Sequence, residues 1–195
     1  MANQRSILIQ AAIKAVRVYG MDGVRMQHIG QIAHATPSSI YQYFKGKDEL
    51  LRVCFEQIDH EIAYIFDKIS TMEEEMAVDP RQTLRTVWSA FWRWLADHPD
   101  ETIFYHNYRD WSGFAEYDMN RDVSHFEPFV RQLRILRQRY PGLCAVPRVI
   151  LWLYVLEGTV MYAKYVAQGL IQDTPETEDA VFRLLMGGVE GLMKA

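Results

Sequence analysis

The sequence predicts an all-α fold with about nine helices. Apolar residues recur at helical spacing through most of the 195 residues, and sustained alternation of apolar and polar residues is almost absent. Five prolines each precede a run of helical apolar spacing, and proline favours the first position of a helix. These prolines are Pro37, Pro80, Pro99, Pro147 and Pro175. The two patterns together favour a chain without strands.

Four helices are expected in the first third of the chain. An apolar stripe from Leu8 to Tyr19 predicts a helix over residues 5–20, with Gly20 as its stop. A short helix over residues 27–34 and another over Ser38–Phe44 follow. Apolar positions from Leu50 onward predict a long helix over residues 48–70. The remaining helices are expected at about residues 80–96, 99–109, 125–140, 147–170 and 175–193, with residues 110–122 as an irregular link.

The composition predicts a folded, water-soluble chain. Apolar residues make up 49% and charged residues 24%, which is ordinary for a globular protein. The first ten residues lack the apolar run of a secretory signal, and no uninterrupted apolar segment approaches the length that a bilayer span needs. With only Cys54 and Cys144, a disulfide framework is not expected. We therefore expect a cytoplasmic protein with no membrane partner.

Charge is distributed unevenly along the chain. Residues 1–50 carry six basic and three acidic side chains, a balance of +3, and the rest of the chain has a balance of −7. A cationic head on an acidic body suggests that the head meets a polyanion, although such a small excess also arises by chance.

Residues 27–44 have the dimensions of a helix-turn-helix. A helix of about eight residues, a short turn and a helix of about seven residues follow one another. The second of these helices is rich in hydrogen-bonding side chains, while Ile40 and Phe44 are its inward anchors at i and i+4. A helix about 10 Å long with this chemistry fits into a major groove about 12 Å wide.

These residues resemble the DNA-binding domain of the tetracycline-repressor (TetR) family. The similarity covers about residues 5–55 without a gap, in ILIQAAIKAVRVYG and IGQIAHATPSSIYQYFKGKDELL. The family's pattern around the third helix, Tyr-x-Tyr/His-Phe, then Lys and an acidic-acidic-Leu helix start, falls on Tyr41, Tyr43, Phe44, Lys47, Asp48, Glu49 and Leu50. The resemblance implies a helix-turn-helix DNA-binding domain over residues 1–48 and a helical effector-binding and dimerisation domain over residues 49–195.

The resemblance also implies which residues contact DNA. Those expected to face base edges or phosphates are Gln27, Ser38, Ser39 and Gln42. Those expected on the sugar-phosphate backbone are Tyr41, Tyr43 and Lys47, although half-buried packing is the alternative for both tyrosines. Thr36 and Pro37 would start the reading helix, and Arg25 would add positive field.

One position departs from the family pattern. The family usually has Gly in the turn between the second and third helices, where this chain has His34. Such a turn needs positive φ, which costs a non-glycine residue about 1–2 kcal/mol and is better tolerated by His than by most residues. We predict that His34 adopts positive φ.

The body of the chain is unusually aromatic. Residues 88–129 contain twelve of the 25 aromatic side chains, and the resemblance implies an effector pocket. The residues predicted to line it are Trp88, Trp92, Phe104, Tyr108, Trp111, Phe126, Phe129, Glu157 and Tyr162. A close-packed aromatic core is the alternative for each of them. The effector would be small and hydrophobic or aromatic, and Asp110, Glu116 and Glu157 would suit a cationic one.

The last two predicted helices carry small residues at close intervals. Glycine within a helix is unfavourable, so its repeated use suggests close helix approach, either within the chain or across a dimer interface. The residues predicted in that interface are Leu151, Val155, Gly158, Leu184, Gly188 and Leu192. A two-fold dimer would place two reading helices one DNA turn apart, about 34–36 Å, on a near-palindromic operator.

The expected function is therefore a dimeric, ligand-responsive repressor that binds double-stranded operator DNA, with no catalytic residues, metal or cofactor. The alternatives are a metal-dependent enzyme or a helical ligand carrier that does not bind DNA. The spacing Glu-x-x-His of di-iron bundles is missing, and Glu56 with His60 is the nearest substitute. A phosphate loop, nucleophile elbow or zinc spacing is not found either.

Overall fold

The computed structural model describes residues 4–72, 75, 78–111, 114 and 124–194. Within these ranges the regular structure is helical, with nine α-helices and short 3-10 segments, which confirms the predicted fold class. The helices are α1 (Gln4–Gly23), α2 (Met26–Ala33), α3 (Pro37–Ile40), α4 (Lys47–Asp67), α5 (Pro80–Asp97), α6 (Pro99–Asp110), α7 (Glu127–Arg139), α8 (Arg148–Ala167) and α9 (Pro175–Lys194).

Prolines and polar caps start most of the helices, as predicted. Pro37, Pro80, Pro99 and Pro175 are the first residues of their helices, whereas Pro147 lies one residue before α8. The side chain of Asp79 accepts a hydrogen bond from the backbone N–H of Gln82 at 3.0 Å. Thr36 and Thr174 accept equivalent bonds from Ser39 and Thr177. Each cap satisfies a backbone donor that the first helical turn leaves unpaired.

The predicted third helix is too long. Regular α-helix covers Pro37–Ile40 only, and residues 41–43 continue as turns. The backbone N–H of Tyr43 and of Phe44 both reach the carbonyl of Ile40, at 2.9 and 3.1 Å. The tightened last turn still places Ile40 and Phe44 in the core, with 0% and 2% of their surface exposed, so the predicted anchors are confirmed.

The chain divides into two compact units. The N-terminal unit comprises Met1–His60 and Ile103–Arg121, and the C-terminal unit comprises Glu61–Thr102 and Asp122–Ala195. The chain passes between the units within α4 and again within α6. The boundary predicted at residues 48 and 49 stays a prediction, and the predicted link at residues 110–122 lies mostly outside the described residues.

Each unit has its own core. In the N-terminal unit, Phe55 of α4 stacks on Tyr105 and Tyr108 of α6, with ring centroids 5.0 and 4.8 Å apart. The thiol of Cys54 donates to the carbonyl of Ile9 in α1, and burial raises the pKa of that thiol. In the C-terminal unit, Trp88 of α5 packs on Trp92 of the same helix and on Phe182 of α9.

Helix α8 is interrupted by one π-helical turn, Leu153–Glu157, and ends earlier than predicted. It stops at Ala167 because Gly169 adopts φ 73°, and the N–H groups of Gly169 and Leu170 bond back to Val166 and Tyr165. This is the Schellman arrangement, so Gly169 terminates the helix and does not serve close helix packing.

By length and composition α8 could cross a membrane, but a single helix of this kind is weak evidence for a membrane protein.

Candidate nucleic-acid interface and internal cavity

The turn between α2 and α3 is made by His34. This residue adopts φ 52° and ψ 41°, and it is the one non-glycine residue with positive φ in the described part of the chain. Its backbone N–H bonds to the carbonyl of Gly30, and the N–H of Ala35 bonds to the same carbonyl at 2.9 Å. The predicted left-handed geometry of His34 is confirmed.

Gly30 is the residue that sequence reasoning missed in this turn. A Cβ at position 30 would lie 2.5 Å from the carbonyl oxygen of Ala35, closer than such atoms approach one another. The missing Cβ therefore lets the chain fold back tightly after α2. The available signal was a glycine four residues before the unusual His34, inside an apolar helix where glycine is disfavoured.

The start of α3 holds a small hydroxyl cluster. Thr36 Oγ1 accepts the N–H of Ser39 at 3.3 Å and lies 3.0 Å from Ser38 Oγ. Ser39 Oγ donates to the carbonyl of Thr36 at 2.7 Å. The hydroxyl of Ser39 has thus used its only proton, and its oxygen can still accept hydrogen bonds.

The surface around α3 carries the predicted polar row. Tyr41 and Tyr43 are 55% and 42% exposed, a half-buried state that is compatible both with the predicted backbone contacts and with the alternative of half-buried packing. Gln27 and Gln42 are exposed as well. We refer to these four side chains, with Ser38, Ser39 and Lys47, as the α3 surface. All seven belong to the N-terminal unit, on α2, on α3 and its last turn, and at the start of α4.

Two further contacts brace this surface. The rings of Tyr19 on α1 and His28 on α2 stack with centroids 3.8 Å apart. The ammonium of Lys47 lies 6.0 Å from the ring centroid of Trp111, whose Nε1–H donates to Asp22 Oδ1 at 3.1 Å. Lys47 is therefore held at the start of α4 by a cation–π contact, which leaves its positive charge available to a phosphate.

The C-terminal unit contains an apolar cavity of about 90 Å³. Its walls come from α4, α5, α7, α8, α9 and the 3-10 segment before α8. The lining residues are Phe66, Leu84, Val87, Trp88, Phe91, Phe129, Leu133, Leu136, Leu143, Leu151, Trp152, Val155, Leu156, Met186, Val189 and Met193.

Two of the nine residues predicted to line an effector pocket, Trp88 and Phe129, line this cavity. Those that do not are Trp92, Phe104, Tyr108, Trp111, Phe126, Glu157 and Tyr162. Phe104, Tyr108 and Trp111 belong to the N-terminal unit, and Trp92 is buried without reaching the cavity. Which of the nine residues contact an effector stays a prediction.

Tyr108 illustrates the alternative of a close-packed core. It is 2% exposed and stacks on Phe55 and Phe104. Burial is the main reason why the pKa of Tyr108 rises to about 12. This side chain thus serves the N-terminal core.

The acidic residues considered for a cationic ligand do not reach the cavity. Asp110 belongs to the N-terminal unit, where its carboxylate lies 3.2 Å from the ring nitrogen of His106. Glu157 is not among the lining residues, and Glu116 lies outside the described residues. Charge therefore gives no support to a cationic ligand at this site.

The residues predicted for a dimer interface separate into three groups. Leu151 and Val155 face the cavity, and Gly158 and Gly188 serve contacts between α8 and α9. A Cβ at Gly158 would lie 2.7 Å from Leu185, and one at Gly188 would lie 3.2 Å from the hydroxyl of Tyr154. Leu184, by contrast, is 62% exposed and Leu192 is partly exposed.

An exposed apolar face remains on α8 and α9. We call it the α8–α9 face, and it comprises Val149, Ile150, Leu153, Tyr154, Met161, Tyr165 and Leu184. Each is at least 36% exposed, and the phenol of Tyr154 donates to the carbonyl of Leu184 at 3.1 Å. Apolar patches of this kind are typical of surfaces that another protein covers.

Metal chemistry finds no support in the described ranges. No group of three or more His, Cys, Asp or Glu side chains there is arranged to hold a metal ion. Glu56, the nearest candidate from the sequence, is paired with Arg52 at 2.8 Å.

Residues 8–54 match the family model described as bacterial regulatory proteins, tetR family. The chain is 27% identical over 96 residues to the HTH-type transcriptional repressor NicS of Pseudomonas putida. That match spans 49% of this chain and 43% of NicS, less than half the length of that relative.

Solved structures extend the similarity to the whole fold. A TetR family transcription regulator from Marinobacter aquaeolei VT8 superposes with a TM-score of 0.77 at 17% identity, over 93% of each chain. The transcriptional regulator FadR from Bacillus subtilis, solved in complex with stearoyl-CoA, superposes with a TM-score of 0.59 at 18% identity. That superposition covers 94% of this chain and 98% of FadR.

Proposed function

We propose that the chain is a transcription regulator of the tetR family, a dimeric repressor without enzymatic activity that binds a near-palindromic operator and is released by a small hydrophobic effector. The observation that carries the proposal is the geometry of α2, α3 and the turn between them. The left-handed turn at His34 presents a row of exposed hydrogen-bonding side chains on an apolar base formed by Ile40 and Phe44.

The α3 surface has the chemistry for both kinds of DNA contact. Gln42 can pair bidentately with an adenine, and the Ser39 oxygen, having donated its proton, is suited to accept from a base amino group. The hydroxyls of Tyr41 and Tyr43 and the ammonium of Lys47 can donate to phosphate oxygens. Arg25 and Gln27, at the start of α2, would add contacts on the neighbouring backbone.

We propose that a second copy of the chain covers the α8–α9 face. Its residues are apolar yet exposed, and Leu184, one of the residues predicted for the interface, is 62% exposed. A two-fold axis through this face would pair α8 and α9 with their symmetry mates in a four-helix contact. The two α3 surfaces would then read half-sites one DNA turn apart, about 34–36 Å.

The apolar cavity is the proposed effector site. Phe66 of α4 lines it, and α4 runs without interruption from Lys47 to Asp67, so one helix contains both a cavity wall and a proposed phosphate contact. FadR, a structural relative, was solved with a bound acyl-CoA, which supports a ligand role for an apolar site. Effector and operator would bind with opposing coupling, each weakening the other by the same factor. Such a regulator acts on DNA in the cytoplasm and needs no membrane partner.

A gel-shift titration tests the proposal. The purified protein is titrated onto the intergenic DNA beside its own gene and onto unrelated DNA of the same length, at several salt concentrations. We expect specific retention with a steep loss of affinity as salt rises, since Lys and Arg contacts release counterions.

A matched pair of tyrosine variants makes the test specific. Tyr43→Ala should weaken retention at least about tenfold, the loss of roughly one hydrogen bond to a charged group. Tyr64→Ala removes an exposed phenol from the C-terminal unit, 69% exposed compared with 42% for Tyr43, and should leave retention unchanged. No retention at low salt would refute the repressor and favour the ligand carrier that does not bind DNA.

A further inference from the structure

We propose that the cavity of the C-terminal unit binds an uncharged, wholly apolar group no larger than about one six-membered ring, and that it rejects carboxylates and ammonium groups. Binding itself is independent of the proposed repressor function, whereas the role of the bound molecule as the effector rests on that function.

The first argument is the chemistry of the wall. All sixteen lining residues are Leu, Val, Met, Phe or Trp, so no lining side chain carries a charge, a hydroxyl, a carboxyl or an amide group. A charged group that entered would lose its hydration and gain no oppositely charged partner from the wall, which is among the largest penalties in protein interiors. An apolar group would give up no hydrogen bonds to water on entry.

The second argument is that the indole N–H of Trp88 and the hydroxyl of Thr159 are already hydrogen-bonded. The indole Nε1–H of Trp88 donates to Thr159 Oγ1 at 2.9 Å, and that hydroxyl donates to the carbonyl of Val155 at 2.6 Å. Thr159 is fully buried, so this short chain of hydrogen bonds is closed off from water. These two hydrogen bonds leave neither the Trp88 indole nor the Thr159 hydroxyl with a free donor for a carboxylate in the cavity.

The third argument is that ionic groups on α5 and α9 pair with one another. On α5, Arg85 binds Asp179 of α9 at 2.9 Å, and its guanidinium lies over the Phe182 ring. Glu178 accepts a hydrogen bond from Ser89 at 2.7 Å, and Glu190 binds Arg81. These contacts join α5 to α9 and supply no counter-ion to the cavity.

The size limit follows from the volume. An engineered apolar cavity of about 150 Å³ stays dry and binds benzene. The present cavity of about 90 Å³ is smaller, so one ring fits only if the wall yields slightly. Met186 and Met193 are the flexible parts of that wall, since an unbranched thioether changes shape at little cost. A fused-ring ligand would need more volume than movement of the two methionine side chains can provide.

Three probes of similar size test the inference: toluene, benzoate and benzylammonium. Each is titrated into the full-length protein by calorimetry, and the thermal midpoint is recorded with and without each probe. We expect saturable toluene binding with a raised midpoint, and at least about 100-fold weaker binding of both ions. Absence of toluene binding, or an ion that binds within tenfold of toluene, would overturn the proposal.

A matched pair of variants locates the binding. Val189→Phe fills the cavity from α9 and should abolish toluene binding, whereas Val78→Phe makes the same change at a position that is 84% exposed and should preserve it. Should Val189→Phe fail to fold, Met193→Phe makes a milder intrusion near the end of α9. Toluene binding that survives a folded cavity-filling variant would show a different site and overturn the proposal.

The operator assay separates this inference from the proposed function. Each probe is added to a gel shift of the same protein preparation. Binding of toluene without any operator retention would support the ligand class and refute the repressor. Operator retention without toluene binding would refute the ligand class and leave the repressor standing.

Discussion

The α3 surface and the apolar cavity use opposite chemistry for recognition. On the α3 surface, exposed hydroxyl, amide and ammonium groups stand on buried anchors, Ile40 and Phe44, that are at most 2% exposed. In the cavity the recognising groups are themselves buried or half-buried and apolar, and the polar groups pair with one another outside it. A surface site therefore depends on the direction of a few side chains, whereas an interior site depends on the volume that many side chains leave between them.

The two regions also place different demands on the backbone. The α3 surface depends on two backbone features: residue 30 has no Cβ, and His34 adopts a left-handed conformation. The cavity is bordered by the π-helical turn of α8, which carries Val155 and Leu156 to its wall. Substitutions near the α3 surface should therefore act by disturbing single backbone positions. Substitutions at the cavity should act by changing the packing of side chains.

The largest expected effect is a packing loss at the cavity. Leu156→Ala removes a side chain that is 2% exposed and should cost about 2–5 kcal/mol in unfolding free energy, because it enlarges an existing cavity. Leu184→Ala makes the same change on the α8–α9 face, at 62% exposure, and should cost less than about 0.5 kcal/mol in the monomer.

Urea unfolding at two protein concentrations checks both values. If a second copy covers Leu184, its variant should lose stability only at the concentration where the wild type is dimeric. Equal losses of unfolding free energy for the two variants at both concentrations would contradict the distinction between the buried cavity wall and the exposed α8–α9 face.

The next effect is a steric one in the α2–α3 turn. Gly30→Ala places a Cβ 2.5 Å from the Ala35 carbonyl oxygen and should destabilise the N-terminal unit by about 1–3 kcal/mol, because backbone atoms must move. Gly23→Ala, whose added Cβ meets its nearest neighbour at 3.8 Å, is the control and should change stability by less than about 1 kcal/mol.

Amide hydrogen exchange in the N-terminal unit measures this loss directly. Operator affinity should fall in parallel for Gly30→Ala and remain for Gly23→Ala. A fully stable Gly30→Ala protein would mean that the turn can open without disturbing the α3 surface.

A comparable effect, seen in DNA binding only, distinguishes base readout from backbone contact. Gln42→Ala should cost about 1–3 kcal/mol of discrimination at one base pair of each half-site. Lys47→Ala should weaken binding to all sequences about equally and reduce the salt slope by about 1. Gel shifts with single-base operator variants over a salt series measure both quantities. If Gln42→Ala changed the salt slope and Lys47→Ala changed base discrimination, the two assigned roles would be reversed.

The smallest expected effect concerns His34. His34→Gly removes the strain of positive φ but adds freedom to the unfolded chain, so we expect a gain of about 0.5 kcal/mol. His34→Val should lose at least about 1 kcal/mol, since a β-branched residue is poorly tolerated there. Thermal unfolding orders the three proteins, and a more stable valine variant would show that the turn geometry is wrong.

The prediction from sequence succeeded where neighbours along the chain decide the outcome. Thr36 caps α3, Pro37 starts it, Ile40 and Phe44 anchor it, and His34 takes the left-handed conformation, all within eleven residues. A capping oxygen reaches a donor three residues away, and a helical face repeats every three to four residues, so such features can be inferred from local spacing.

The lining of the cavity could not be inferred from the sequence, because its residues are distant from one another along the chain. Trp92 and Trp88 are both aromatic residues on α5, yet only Trp88 lines the cavity, because the other walls come from α4, α7, α8 and α9. The glycines of α8 and α9 were ambiguous for the same reason. Gly158 makes room for Leu185, while Gly169 ends a helix.

The sequence alone was therefore sufficient for the all-α class, the resemblance of the first 55 residues to a known family and the polar composition of the α3 surface, since these depend on short-range spacing and on a motif without gaps. The location of the cavity, its lack of charge and the identity of its sixteen lining residues required the packed fold. A void is a property of helices from different parts of the chain meeting in space, and its volume depends on side-chain directions that no single segment specifies.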